Sequence, residues 1–139
     1  MFEIIVGTVI IKNKKILMVK EKKKGVKGLL NFPAGHLEAH ETLVEAATRE
    51  IKEETGFNAK INSLIDTQYF NVKDKNLVIF IFQGELIETE NNSINELDYD
   101  FYDIEYINAN KHLLRNEEMF ISALSKINRG DSVAVKILK

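Results

Sequence analysis

The chain has 139 residues, 45% of them hydrophobic and 29% charged, with a formal net charge of −2. That length holds one domain with its own core, expected over residues 1–139, and the mixture is that of a soluble globular protein, not a disordered or fibrous one. A near-neutral balance excludes the broad basic footprint of a nucleic-acid polymer binder, and the absence of cysteine excludes disulfides, thiolate metal sites and cysteine nucleophiles.

In chain order, Met1 to Ile11 and Lys15 to Glu21 are β-rich runs joined by the turn "KNKK". The first run lacks a basic leading segment and a cleavage site and is about half the length needed to span a bilayer. A cytoplasmic protein with no membrane contact is therefore expected. "LLNFPAG", Leu29 to Gly35, reads as a short strand stopped by Pro33, the chain's one proline. From Glu41 the period turns helical: Leu43, Val44, Ala47 and Ile51 share a face, and Gly56 supplies a stop. Two longer β runs follow, Ala59 to Asn71 and Asn76 to Leu86, around the turn "VKDK". Asp103 to Ile107 is a further strand candidate, Glu117 to Ile127 a second helix, and "SVAVKIL" alternates like a terminal strand. Strands on both sides of a central helix predict an α/β fold with a mixed sheet sandwiched between helices.

The central helix poses a problem. At about 100° per residue, Glu50 and Glu54 stand one turn apart, Glu53 lies beside them, and Glu54 falls within the apolar arc. A carboxylate there is costly to desolvate, and like charges make its ionisation harder. Taken alone, "EIKEE" reads either as a solvated acidic face or as a site for a hard cation, which takes oxygen ligands and turns repulsion into shared attraction.

The surrounding residues decide between these readings. Gly35, five residues, Glu41, seven residues, then Arg49-Glu50-Ile51-Lys52-Glu53-Glu54-Thr55-Gly56-Phe57 resembles the complete signature of the Nudix hydrolases, G-x5-E-x7-R-E-U-x-E-E-x-G-U, with U aliphatic or bulky apolar. Every defined position matches, which a lone short motif never guarantees. The resemblance implies a Nudix fold with Glu50 and Glu54 as metal ligands and Glu53 as a third ligand or the base for the attacking water. It also implies a backbone ligand at Ala34, where alanine replaces the commoner glycine, and Mg²⁺ or Mn²⁺ as the cofactor. Gly35, Glu41 and Gly56 support the motif, and Arg49 is expected to orient Glu41 through a charge-assisted bond.

A further loop carboxylate is common in such enzymes, and "NELDYDFYD" offers Glu96, Asp98 and Asp100, of which Asp100 is favoured. "DTQYF" and "LLRNEEMFISALSKINRG" resemble the phosphatase-like branch of the family. That implies release of phosphate from nucleoside di- or triphosphates or a thiamine-precursor diphosphate. The same comparison makes Arg115 a substrate-facing arginine. Tyr69 and Phe70 offer either a stacking surface or core aromatics. The lysine loop Lys20 to Gly28 is either a solvated turn or a phosphate contact, and His36 and His40 are loop residues, because Mg²⁺ prefers oxygen. The partner is then a small phosphoanhydride, bound by a monomer or homodimer. A housecleaning hydrolase of oxidised nucleoside triphosphates, a dinucleoside polyphosphate hydrolase and a non-catalytic Nudix ligand sensor share the signature and stand as alternatives.

Overall fold

The computed structural model describes residues 1–87, 94–130 and 132–135. Its centre is β1 (Phe2–Lys12), which runs parallel to β6 (Lys75–Leu86) along one side. On the other side it pairs antiparallel with β4 (Ala34–His36) through Ile5, Val6 and Gly7, and with β2 (Lys15–Lys20) at its end. β2 carries β3 (Leu30–Asn31) and β7 (Tyr99–Asp103), while β6 carries β5 (Ala59–Val72), which carries β8 (Val133–Ala134).

Two tight turns set the hairpin registers. Asn13 and Lys14 have φ of 53° and 64°, and Lys73 and Asp74 have φ of 50° and 64°. Two consecutive left-handed residues form the mirrored type I turn, whose twist matches that of paired strands.

Period-2 alternation in these strands builds two cores. Val6, Ile10, Leu17 and Phe82 face α1 (Leu43–Thr55), packing with Ala46, Ala47, Ile51 and Phe57. Val9, Ile16, Met18, Ile79 and Ile81 face the opposite way and pack with Met119, Phe120, Ala123 and Leu124 of α3 (Glu117–Arg129). The mixed sheet is thus covered by a helix on each face, as the sequence pattern predicts. Thr42 caps α1 in a reciprocal box with Glu45, and Gly56, at φ 81°, ends it.

Three local expectations are corrected. The strand lies at Tyr99–Asp103, ahead of the predicted Asp103 to Ile107, because Asp103 accepts a hydrogen bond from the Glu105 amide and caps the short α2 (Ile104–Ala109). "LLNFPAG" divides into β3 and β4 around Pro33. Of "SVAVKIL", Val133–Ala134 is a strand, and Lys136, Ile137 and Leu138 lie outside the described residues.

Candidate active site

The site forms where β4 meets the C-terminal half of α1. The Thr8 amide donates to the Pro33 carbonyl and the Leu37 amide to the Ile4 carbonyl, so Gly7 and Ala34 are a non-hydrogen-bonded pair in the β1–β4 ladder. Both the amide and the carbonyl of Ala34 therefore point away from β1. The amide donates to Glu54 Oε1 at 2.9 Å. Glu50 lies directly against Gly35, where a Cβ would overlap its carboxylate. The glycine of the signature thus leaves the room that the Glu50 carboxylate occupies.

Arg49 gathers the remaining acids. Its Nε and Nη2 donate to the two oxygens of Glu41 at 3.0 and 2.7 Å, and Nη2 also reaches the His36 carbonyl at 3.0 Å. Nη1 donates to Glu50 at 2.7 Å and to Glu53 at 3.3 Å. Glu41 in turn accepts from the Glu38 amide, which ties the loop to the helix. The hydrogen bond from Arg49 holds the Glu41 carboxyl below its usual range, and Glu41 raises the Arg49 guanidinium further above its own.

Desolvation acts the other way on the ligand candidates. Burial pushes Glu54 up to about 8, despite the Ala34 amide, with the charges of Glu50, Glu21 and Glu96 adding to the effect. Burial also raises Glu50, against the pull of Arg49, and Glu53 and Glu96 contribute. Glu53 is the most open of the three, its side chain 41% exposed against 12% for Glu50. Helical geometry explains the separation: Glu53 is one turn beyond Arg49, whereas Glu54 is one turn beyond Glu50.

Other candidates fall at varying distances from this centre. The Glu96 amide donates to the Glu53 carbonyl and the Leu97 amide to the Glu54 carbonyl, docking this acidic stretch on the last turn of α1. Glu96, rather than Asp100, is the carboxylate of this stretch whose field reaches Glu50 and Glu54. Asp100 sits in β7 opposite Met18, accepts from the Phe101 amide and influences Tyr102. Glu21, just past β2, carries no motif signal, yet its charge reaches Glu54 and its carboxylate pairs with Arg115. Tyr69 is 57% exposed and meets Phe2 and Asn76 instead of the acids, while Phe70 packs against the core facing α3. Lys22 of the lysine loop donates to the Glu96 carbonyl at 2.5 Å, and His36 faces Glu3 at 3.6 Å.

The donor chemistry fits a hard cation. Glu50 and Glu54 are two desolvated carboxylates whose ionisation is opposed by their surroundings, and the Ala34 carbonyl lies beside them, outside the ladder. Among the described residues no group of three or more acid, imidazole or thiol side chains stands in a metal-holding arrangement. Arg49 Nη1 holds both Glu50 and Glu53, and the Ala34 amide holds Glu54.

A mixed sheet between two helices, with an acidic helix turn held against a glycine-containing strand, defines an α/β protein with a cluster of oxygen donors at one strand edge. The family model for the NUDIX domain matches residues 1–121, and the chain belongs to that family. Over 73 residues it is 49% identical to phosphatase NudJ of Escherichia coli strain K12, a match covering 52% of this chain and 47% of that protein. The matched region thus spans about half the length of these curated relatives. Among solved structures, a NUDIX hydrolase from Nitrosomonas europaea superposes with a TM-score of 0.91 at 24% identity, covering 100% of this chain and 97% of the other. The E. coli ORF135 protein superposes with a TM-score of 0.72 at 18% identity, covering 91% of each chain. These two likenesses concern the fold.

Proposed function

We propose that the protein is a metal-dependent phosphatase or pyrophosphohydrolase that cleaves phosphoanhydride bonds of nucleoside di- or triphosphates, or of a thiamine-precursor diphosphate. The observation that carries this reading is the pair Glu50 and Glu54, desolvated against the Ala34–Gly35 edge, where a cation relieves a charge the fold otherwise opposes. Identity of 49% with a phosphatase over 73 residues supports the reaction class.

In this reading Glu50, Glu54 and the Ala34 carbonyl hold Mg²⁺ or Mn²⁺. When bound, the ion neutralises phosphate oxygens and makes water a better nucleophile. Arg49 holds Glu41, Glu50 and Glu53 in fixed relation, so their positions are set before substrate arrives. Glu53, open to solvent on one side and held by Arg49 on the other, is suited to take the proton of the attacking water. Arg115 contacts the distal phosphates. The protein works in the cytoplasm on small substrates, and residues 1–139 form one Nudix domain.

The test is hydrolysis in ¹⁸O-labelled water of nucleoside triphosphates, nucleoside diphosphates, sugar nucleotides and thiamine diphosphates, with and without Mg²⁺. Labelled orthophosphate as the initial product from a triphosphate, only with metal, is the expected result. Pyrophosphate as the dominant initial product overturns the phosphatase assignment. No hydrolysis of any substrate with Mg²⁺ or Mn²⁺ overturns the enzyme reading.

A further inference from the structure

Glu21 and Arg115 are 94 positions apart and belong to no common motif, yet their side chains form an ion pair. Both ends are set by backbone. The Glu21 amide donates to the Leu29 carbonyl and the Gly28 amide to the Glu21 carbonyl, so Glu21 closes the neck of the lysine loop. The Arg115 amide donates to the Leu30 carbonyl, and Leu114 bridges Leu30, so Arg115 is fastened to β3. The segment that fixes both residues leads within four positions to Ala34, whose amide holds Glu54.

The two side chains differ in exposure. Glu21 is 12% exposed and Arg115 36%. Through Nη1 the guanidinium meets Glu21; among the described residues no other side chain pairs with it, and four of its five N–H donors are left for a ligand. A partly exposed pair of this kind contributes little to stability. The arrangement makes sense as a device that fixes a cation beside the acids.

We propose that Glu21 is a positioning residue for phosphate binding: it anchors one arm of the Arg115 guanidinium so that the other donors meet a phosphate group of the substrate. This rests on the phosphoanhydride reading of the same site. Held in one geometry, the planar guanidinium binds a phosphate without first losing its rotamer freedom. Without Glu21, the side chain samples other rotamers and the contact weakens.

The test is a double-mutant cycle on binding, read by calorimetry with inorganic pyrophosphate at fixed Mg²⁺, the unit shared by every candidate substrate. Glu21→Ala and Arg115→Ala are each expected to weaken pyrophosphate binding about five- to tenfold, and the double variant no more than the worse single one. Glu21→Gln, which keeps an acceptor for Nη1, should recover part of the loss, and thermal unfolding of each variant separates misfolding from lost binding. Additive losses, or unchanged or tighter binding in Glu21→Ala or Glu21→Gln, overturn the proposal, as does a wild-type chain that fails to bind pyrophosphate. Hydrolysis without coupling defeats this inference alone; coupled binding without hydrolysis of any substrate defeats the enzymatic reading alone.

Discussion

Replacing Gly35 by alanine separates the geometry of the site from the stability of the fold. Gly35 is not among the left-handed glycines, so its backbone conformation is open to alanine. The three atoms nearest to the added methyl group all belong to the Glu50 carboxylate. Ordinary carbon contacts begin near 3.5 Å, so the carboxylate must retreat by about 1 Å or change rotamer. Either movement disturbs the 2.7 Å hydrogen bond from Arg49 Nη1 to Glu50. Misplacement of a reacting constellation on this scale costs about a hundredfold in rate. Stability should hardly change, because the displaced carboxylate regains water and leaves a site that opposed its charge. The assay combines kcat for the best substrate with thermal unfolding and Mn²⁺ binding by electron paramagnetic resonance. Turnover should fall at least about a hundredfold and Mn²⁺ affinity should drop, with the melting temperature within a few degrees of wild type. Adding Glu50→Ala should cost little more, since the two changes remove one function. Near-normal turnover and Mn²⁺ affinity in Gly35→Ala would refute the placement of Glu50 at the metal.

Glu54→Gln and Glu53→Gln should each lower turnover by at least about a hundredfold without unfolding the chain; steady-state kinetics with Mg²⁺ and circular dichroism check this, and near-normal turnover removes that residue from its role. In the metal-free protein, the native state with Glu54 raised to about 8 binds more protons than the unfolded state, whose value is near 4.5. Stability is therefore fully favoured below the unfolded value and declines as pH rises through about 8, whereas stabilisation by Mg²⁺ should grow over the same window; melting curves from pH 4.5 to 8.5 show it, and a metal-free stability that rises with pH refutes it. Lys126→Met should destabilise the fold by about 1–3 kcal/mol, measured by urea unfolding. It leaves the wholly covered Asp66 carboxylate to Ser122 and Gln68; burial opposes its ionisation, and the bonds from Lys126, Gln68 and Ser122 outweigh that and hold it below the usual range. Unchanged stability would show that the pair contributes nothing to the attachment of α3.

The features governed by local rules are legible in the residues alone. Continuous apolar runs mark β1, β2 and β6 as strands, and the helical period with Gly56 marks α1, because strand and helix signals depend on near neighbours, whereas which strand residues face which core shows only in the fold. Spacing likewise placed Arg49, Glu50, Glu53 and Glu54 within one helix, and Glu41 eight positions before Arg49. The α2 helix escaped, since six residues capped by Asp103 are too few to show a period. Contacts between distant segments account for the rest. Asp100 and Glu96 look equivalent in an acidic run, but pairing of β7 with β2 commits Asp100 to a strand, while backbone bonds to the last turn of α1 bring Glu96 beside the pair. Glu21 and Arg115 meet because β2 and β3 bring their backbones together, and to the desolvation of Glu54 already legible in the apolar arc of α1 the fold adds its hydrogen bond from the Ala34 amide and the distant charges of Glu21 and Glu96.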